Sequence, residues 1–169
     1  MKYITKIIVS FIMIFTLVGC GKNINNSTEQ TPSTTIPSTD NTTSKPKEDD
    51  PYMNKTIELK IGNTKVDVNW LDNDSVKALK ELVKNGLTIN MSIYGDFEQV
   101  GSLGKNVTSN DESLTTSAGD ICLYQSNQIV IFYGSNTWSY TKLGHISLSK
   151  SELTELLGEE NVTITLTLK

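Results

Sequence analysis

Few side chains in this chain are able to carry chemistry. There is one histidine, His145, and there are two cysteines, Cys20 and Cys122. All 15 basic residues are lysines, so any mechanism that needs a planar guanidinium is excluded. His145 has no second histidine, cysteine pair or tight carboxylate cluster beside it in the sequence, so no metal-ligand spacing exists and neither a catalytic set nor a metal site is assigned. It reads as a hydrogen-bonded or exposed strand residue. Asp120, directly after Gly119, is placed to fix a strand entry through a turn hydrogen bond. Cys122 lies inside an apolar run and reads as a small buried hydrophobe, with no partner in Cys20. Serines are abundant, but a Gly-x-Ser-x-Gly elbow, a phosphate-cradling glycine loop and a dinucleotide fingerprint are all missing. No cofactor is implied.

What remains is aromatic. Tyr94, Phe97, Tyr124, Phe132, Tyr133, Trp138 and Tyr140 gather around three consecutive apolar runs. Most are expected to fill a core. A subset, Tyr94, Tyr124, Trp138 and Tyr140 with Lys142, is the candidate lining of a surface groove for an extended peptide or a small ligand. The net charge of −4 is spread along the chain, and without a clustered basic face a nucleic-acid partner is excluded.

The elements that must position these residues follow from hydrophobic period. Asp120 to Tyr124, Gln128 to Tyr133 and Ser139 to Ile146 read as three consecutive strands, the first two joined by the turn Gln125-Ser126-Asn127. Their dense apolar content predicts central strands buried on both faces or rolled into a barrel. Upstream, Lys55 to Ile61 and Lys65 to Leu71 form a hairpin about Gly62-Asn63-Thr64. Val76, Leu79, Leu82 and Val83 recur at helical spacing between the capping residues near Asn73 and the stop at Gly86. Leu87 to Tyr94 reads as one strand, Phe97 to Gly119 carries only weak strand signals, and residues 104–118 read as a polar loop. Ser149 and Glu152 make a capping box for a short helix over Leu153 to Leu157, and Asn161 to Lys169 forms a last strand expected to pair with the first.

Residues 1–20 have the layout of an export signal, with Lys2 and Lys6 ahead of the apolar run Ile7 to Leu17. Leu17-Val18-Gly19-Cys20 resembles the lipobox of bacterial lipoproteins. That resemblance implies acylation of the Cys20 sulfur, cleavage before it, and membrane attachment through two acyl chains, enough for a stable anchor. It places the protein at the bacterial cell membrane, facing the extracytoplasmic side. Residues 21–50 are rich in Ser, Thr, Asn and Pro with almost nothing to bury, and read as a disordered tether. A coil of this length spans about 30 Å on average. Residues 51–169 are then a single folded domain, expected to be monomeric.

The order of elements and the segments Gly119-Asp120-Ile121-x-Leu123-Tyr124, Ile131-Phe132-Tyr133 and Tyr140-Thr141-x-Leu143-Gly144-x-Ile146 resemble the bacterial cyclophilin-like domain family, over nearly all of Lys55 to Lys169. The resemblance implies a mainly β fold, a closed cyclophilin-like β-barrel of about eight strands with two flanking helices. It also raises prolyl isomerisation, which in the cyclophilins depends on an arginine at the prolyl amide. This chain has none, Lys142 offers only a compact ammonium, and the isomerases' Phe-x-x-x-x-Met-x-Gln run has no counterpart. The expectation is therefore a lipid-anchored module that binds a peptide or small ligand without enzymatic activity; the alternative is a weak peptidyl-prolyl isomerase or foldase for secreted proteins.

Overall fold

The structure, a computed structural model, describes residues 51–52 and 54–169. The export signal, Cys20 and the tether lie outside the described residues.

Two short stretches of uninterrupted alternation decide the architecture. In the first, Val66 is buried, Asp67 and Asn69 are exposed, and Val68 and Trp70 are half-buried. Inward and outward residues alternate without a break, yet the chain turns a corner at Asp67 and leaves one sheet for another. β1 (Ile57–Ile61) and β2 (Thr64–Val66) stay in the first sheet, and β3 (Val68–Trp70) enters the second. The same happens after α1 (Asp74–Val83): β4 (Leu87–Asn90) belongs to the first sheet and β5 (Ser92–Tyr94) to the second, with buried Met91 at the corner. Each of the two long strands expected from the sequence is thus two strands, because a period of two continues unchanged through a corner between sheets.

The second sheet is completed by β6 (Glu98–Ser102), β7 (Glu112–Thr115), β8 (Asp120–Tyr124), β9 (Gln128–Phe132) and β10 (Thr137–Ile146). After α2 (Lys150–Leu157), β11 (Thr163–Leu168) returns to the first sheet. The strands run in the orders β2-β1-β11-β4 and β3-β10-β8-β9-β6-β5, with β7 on β10. First and last strands pair antiparallel, from Ile57 opposite Leu168 to Ile61 opposite Ile164. The fold is mainly β with two helices. Its hydrogen bonds define two sheets meeting at corners, where the sequence led us to expect one closed barrel of about eight strands. The polar stretch 104–118 also differs from the expected loop, since Glu112 to Thr115 pair with Thr137 to Tyr140. Its polar, exposed side chains hid the strand.

A single large core fills the space between the sheets. Ile57, Leu59 and Ile61 meet Val76, Leu79 and Val83 of α1, Leu153 and Leu157 of α2, and the inward residues Ile121, Leu123, Ile129 and Ile131. Asn73 caps α1 by accepting from the Val76 N–H at 2.9 Å, and the Ser149–Glu152 capping box begins α2. The sheets close tightly at one point. A Cβ on Gly101 of β6 would lie 2.4 Å from Met91 Sδ and 2.5 Å from Ile89 Cγ2, so only glycine lets β6 approach β4. The opposite face of β8 and β9 carries a second, smaller cluster of Cys122, Val130, Phe132 and Tyr140, which is why these strands are apolar on both sides.

Candidate functional site

The second cluster forms because β10 changes partners along its length. Thr137 to Tyr140 pair with β7, while Thr141 to His145 pair with β8. Between Lys142, opposite Cys122, and Gly144, opposite Ile121, the register slips by one residue at Leu143, a β-bulge. On a regular strand Lys142 and His145 would point to opposite faces. The extra residue brings both to the face of Asp120. Its Oδ1 accepts from Lys142 Nζ at 2.9 Å and from His145 Nδ1 at 2.8 Å, while Oδ2 accepts from the Ser117 N–H at 3.0 Å and the Ser117 hydroxyl at 3.2 Å. The last two are the turn bonds expected at this strand entry.

The Asp120 side chain is 3% exposed. Burial pushes its carboxyl up, but the hydrogen bonds from His145, Lys142 and the Ser117 backbone outweigh that and hold it below the ordinary carboxylate range. Gly119 makes the entry possible: its φ is +97°, and a Cβ there would stand 2.6 Å from the Ile146 carbonyl oxygen. The result is a locked ion cluster in which Asp120 orients His145 through Nδ1 and immobilises the ammonium of Lys142.

Further along the same face lies a groove of about 490 Å³. Tyr94 stands opposite Glu98 across β5 and β6, and Glu98 stands opposite Phe132 across β6 and β9, so the three share one side of the sheet. Tyr124 arrives at the end of β8. Tyr140 packs edge-on against Tyr124, with centroids 5.8 Å apart, and against Phe132 at 5.4 Å. Its hydroxyl accepts from Asn136 Nδ2 at 3.1 Å and donates to Glu98 Oε2 at 3.4 Å. Trp138, two residues earlier on β10, completes the lining together with Val100, Gln125 and Gln128.

The rim and the floor differ sharply. Tyr94 is 66% exposed and Trp138 59%, whereas Glu98 is 4% exposed. Among the described residues no basic group pairs with Glu98. Burial pushes its carboxyl up to about 7, against a smaller downward pull from the Tyr140 hydroxyl. Tyr140 and Cys122 are both pushed up to about 12 by burial, so they stay neutral around it. The groove therefore offers aromatic surface and one carboxyl able to change charge near neutrality. Cys122 is a free, buried thiol. Among the described residues no group of three or more His, Cys, Asp or Glu is arranged to hold a metal ion.

Of the five residues singled out in the sequence, the fold brings Tyr94, Tyr124, Trp138 and Tyr140 to one groove. Lys142 lies elsewhere: its ammonium is on Asp120, and it lines a neighbouring cavity of about 550 Å³ with Leu71, Ser75, Glu112 and Tyr140. Sequence reasoning missed Glu98 and Asn136. Glu98 falls in Phe97-Glu98-Gln99-Val100, where alternation is lost because Gln99 points into the core and donates to the carbonyls of Leu157 and Glu159 at 2.6 and 2.9 Å. The available signal was a carboxylate at the start of a strand-length segment, directly after the turn Gly95-Asp96-Phe97.

The sequence profile of the Cyclophilin-like family matches residues 59–169. No curated protein matches the chain.

Proposed function

The chain belongs to the Cyclophilin-like family, and from that premise we propose that it is a binding module, lipid-anchored at Cys20 outside the cytoplasm, whose aromatic groove takes a peptide segment or small molecule. In this reading the two sheets act together as one barrel, closed through the corners at Asp67 and Met91, and residues 21–50 hold it clear of the lipid surface.

The observation that carries the proposal is the pairing of exposed rim aromatics with a buried, unpaired carboxyl at the floor. Two large rings left in water and a largely buried carboxyl without a positive partner both work against stability, and such arrangements concentrate at binding sites. The groove volume lies in the range of small-ligand sites. A prolyl isomerase of the cyclophilin kind is disfavoured by the lack of any arginine in the chain.

The test uses Tyr94→Ala, Tyr124→Ala, Trp138→Ala, Tyr140→Ala and Lys142→Ala in the full chain, presented with the peptides and small molecules that bind the natural protein. Rim variants at Tyr94 and Trp138 should weaken binding on the order of tenfold each, since truncating a buried aromatic anchor at an interface costs that much or more. Lys142→Ala should leave binding unchanged. Affinities unaffected by both rim substitutions would remove the groove as the site.

A further inference from the structure

We infer that the groove is built for a small organic cation, an alkylammonium or quaternary ammonium group seated against the rings of Tyr94, Tyr124, Trp138 and Tyr140 with Glu98 as its counter-charge. This rests on the groove being the binding site, and adds the chemical class of what enters it.

Three features of the structure converge. First, four rings from three strands line one cavity of about 490 Å³, and the face of an aromatic ring attracts a cation through its quadrupole, Trp most strongly. Second, among the described residues the only side-chain hydrogen bond to the Glu98 carboxyl is that from Tyr140, at 3.4 Å, and a buried carboxylate without a positive partner is costly to ionise. A cation entering the groove supplies that partner, whereas an anion would meet repulsion and a neutral group would leave the charge uncompensated.

Third, the protein's own cation on this face is withheld. Lys142 sits two residues from Tyr140 on β10, and the bulge at Leu143 turns it and His145 together onto Asp120, which binds the ammonium at 2.9 Å. The charge of Asp120 is matched and that of Glu98 is not. The groups that face Glu98 from other strands of the sheet, Tyr140 of β10 and Cys122 of β8, are neutral at physiological pH and compete for no cation; Tyr133 and Asp96, at the end of β9 and the turn after β5, add no positive charge.

The experiment is an NMR titration of the full chain, in maltoside micelles at pH 8 and low salt, with choline and with its uncharged carbon isostere 3,3-dimethylbutan-1-ol. The Trp138 indole and the backbone amides of Glu98 and Tyr124 are followed. Choline should move these resonances and bind on the order of tenfold tighter than the isostere. Glu98→Gln, which keeps the shape and the Tyr140 hydrogen bond, should abolish that preference, and Tyr94→Leu, at an exposed position that does not threaten the fold, should weaken choline more than the isostere. If both probes move the groove resonances with equal affinity, the cation inference is overturned and the groove reading survives. If neither moves them while other ligands do, the cation inference is again overturned; if no ligand of any charge moves them, the groove reading falls with it.

Discussion

Replacing Glu98 by Gln gives a prediction that separates the cost of the site from its use. Glu98 has an ordinary carboxyl value of 4.5 and is pushed up to about 7 in the fold, chiefly by burial. An acid whose folded value lies above its unfolded one binds its proton more tightly when folded. Stability is therefore greatest below about 4.5, falls as pH rises towards about 7, and is flat beyond, where both states have lost the proton. The whole displacement would correspond to about 3 kcal/mol. The carboxyl lines an open groove, so water reaches and screens it, and the expected loss is about 1–2 kcal/mol. Its neighbours Tyr140 and Cys122, pushed up to about 12, contribute nothing in this window. Glutamine carries no such penalty and still accepts from the Tyr140 hydroxyl. Urea unfolding of both proteins between pH 4.5 and 8.5 should show near-equal stability at the acid end, with Glu98→Gln more stable by about 1–2 kcal/mol above pH 7.5. A difference independent of pH, or a wild type more stable than the variant at pH 8, would refute the reasoning, because it would mean that Glu98 is satisfied in the fold.

Asp120→Asn should behave in the opposite sense. The Asp120 carboxyl is held low by His145, Lys142 and Ser117 against the upward push of burial, so its contribution is present above the ordinary carboxylate range and lost as pH falls through it. Because the Lys142 and His145 side chains are 41% and 42% exposed and can turn to water, the loss at pH 7 should be about 1–3 kcal/mol, less than for a fully buried pair, and should shrink in denaturant melts as the pH is lowered below the ordinary carboxylate range. Gly101→Ala should destabilise by about 1–3 kcal/mol in the same assay, since the added methyl meets both Met91 and Ile89 where the sheets approach. Cys20→Ser should move the protein from the membrane fraction to the soluble fraction on cell fractionation, and the natural protein should show an acylated amino-terminal cysteine by mass spectrometry.

The helices and the strands of the second sheet's centre were legible because their signals are local. The stripe of Val76, Leu79 and Val83 needs only helical spacing, the Ser149–Glu152 box needs only a three-residue interval, and β8 and β9 announce themselves by apolar density. The corners at Asp67 and Met91 were hidden, since alternation passes through them intact, and β7 was hidden by polar side chains that face water. The bulge at Leu143 had no signature either, and it decides the chemistry: it sets His145 on the same face as Lys142, so that both meet Asp120. Four of the five proposed lining residues could be grouped because aromatic side chains that share one face of one sheet have few ways to avoid each other. Glu98 could not be added to them without knowing that β6 pairs with β9 and sets it opposite Phe132.

The central claim is that ligands enter the groove floored by Glu98 and not the adjoining cavity under Leu71, Ser75 and Glu112. An NMR screen of the protein against a set of cationic, neutral and anionic small molecules tests it most directly. Resonance shifts concentrated at Tyr94, Glu98, Tyr124 and Trp138 are the predicted result; shifts concentrated at Leu71, Ser75 and Glu112, or no localised shifts at all, would contradict it.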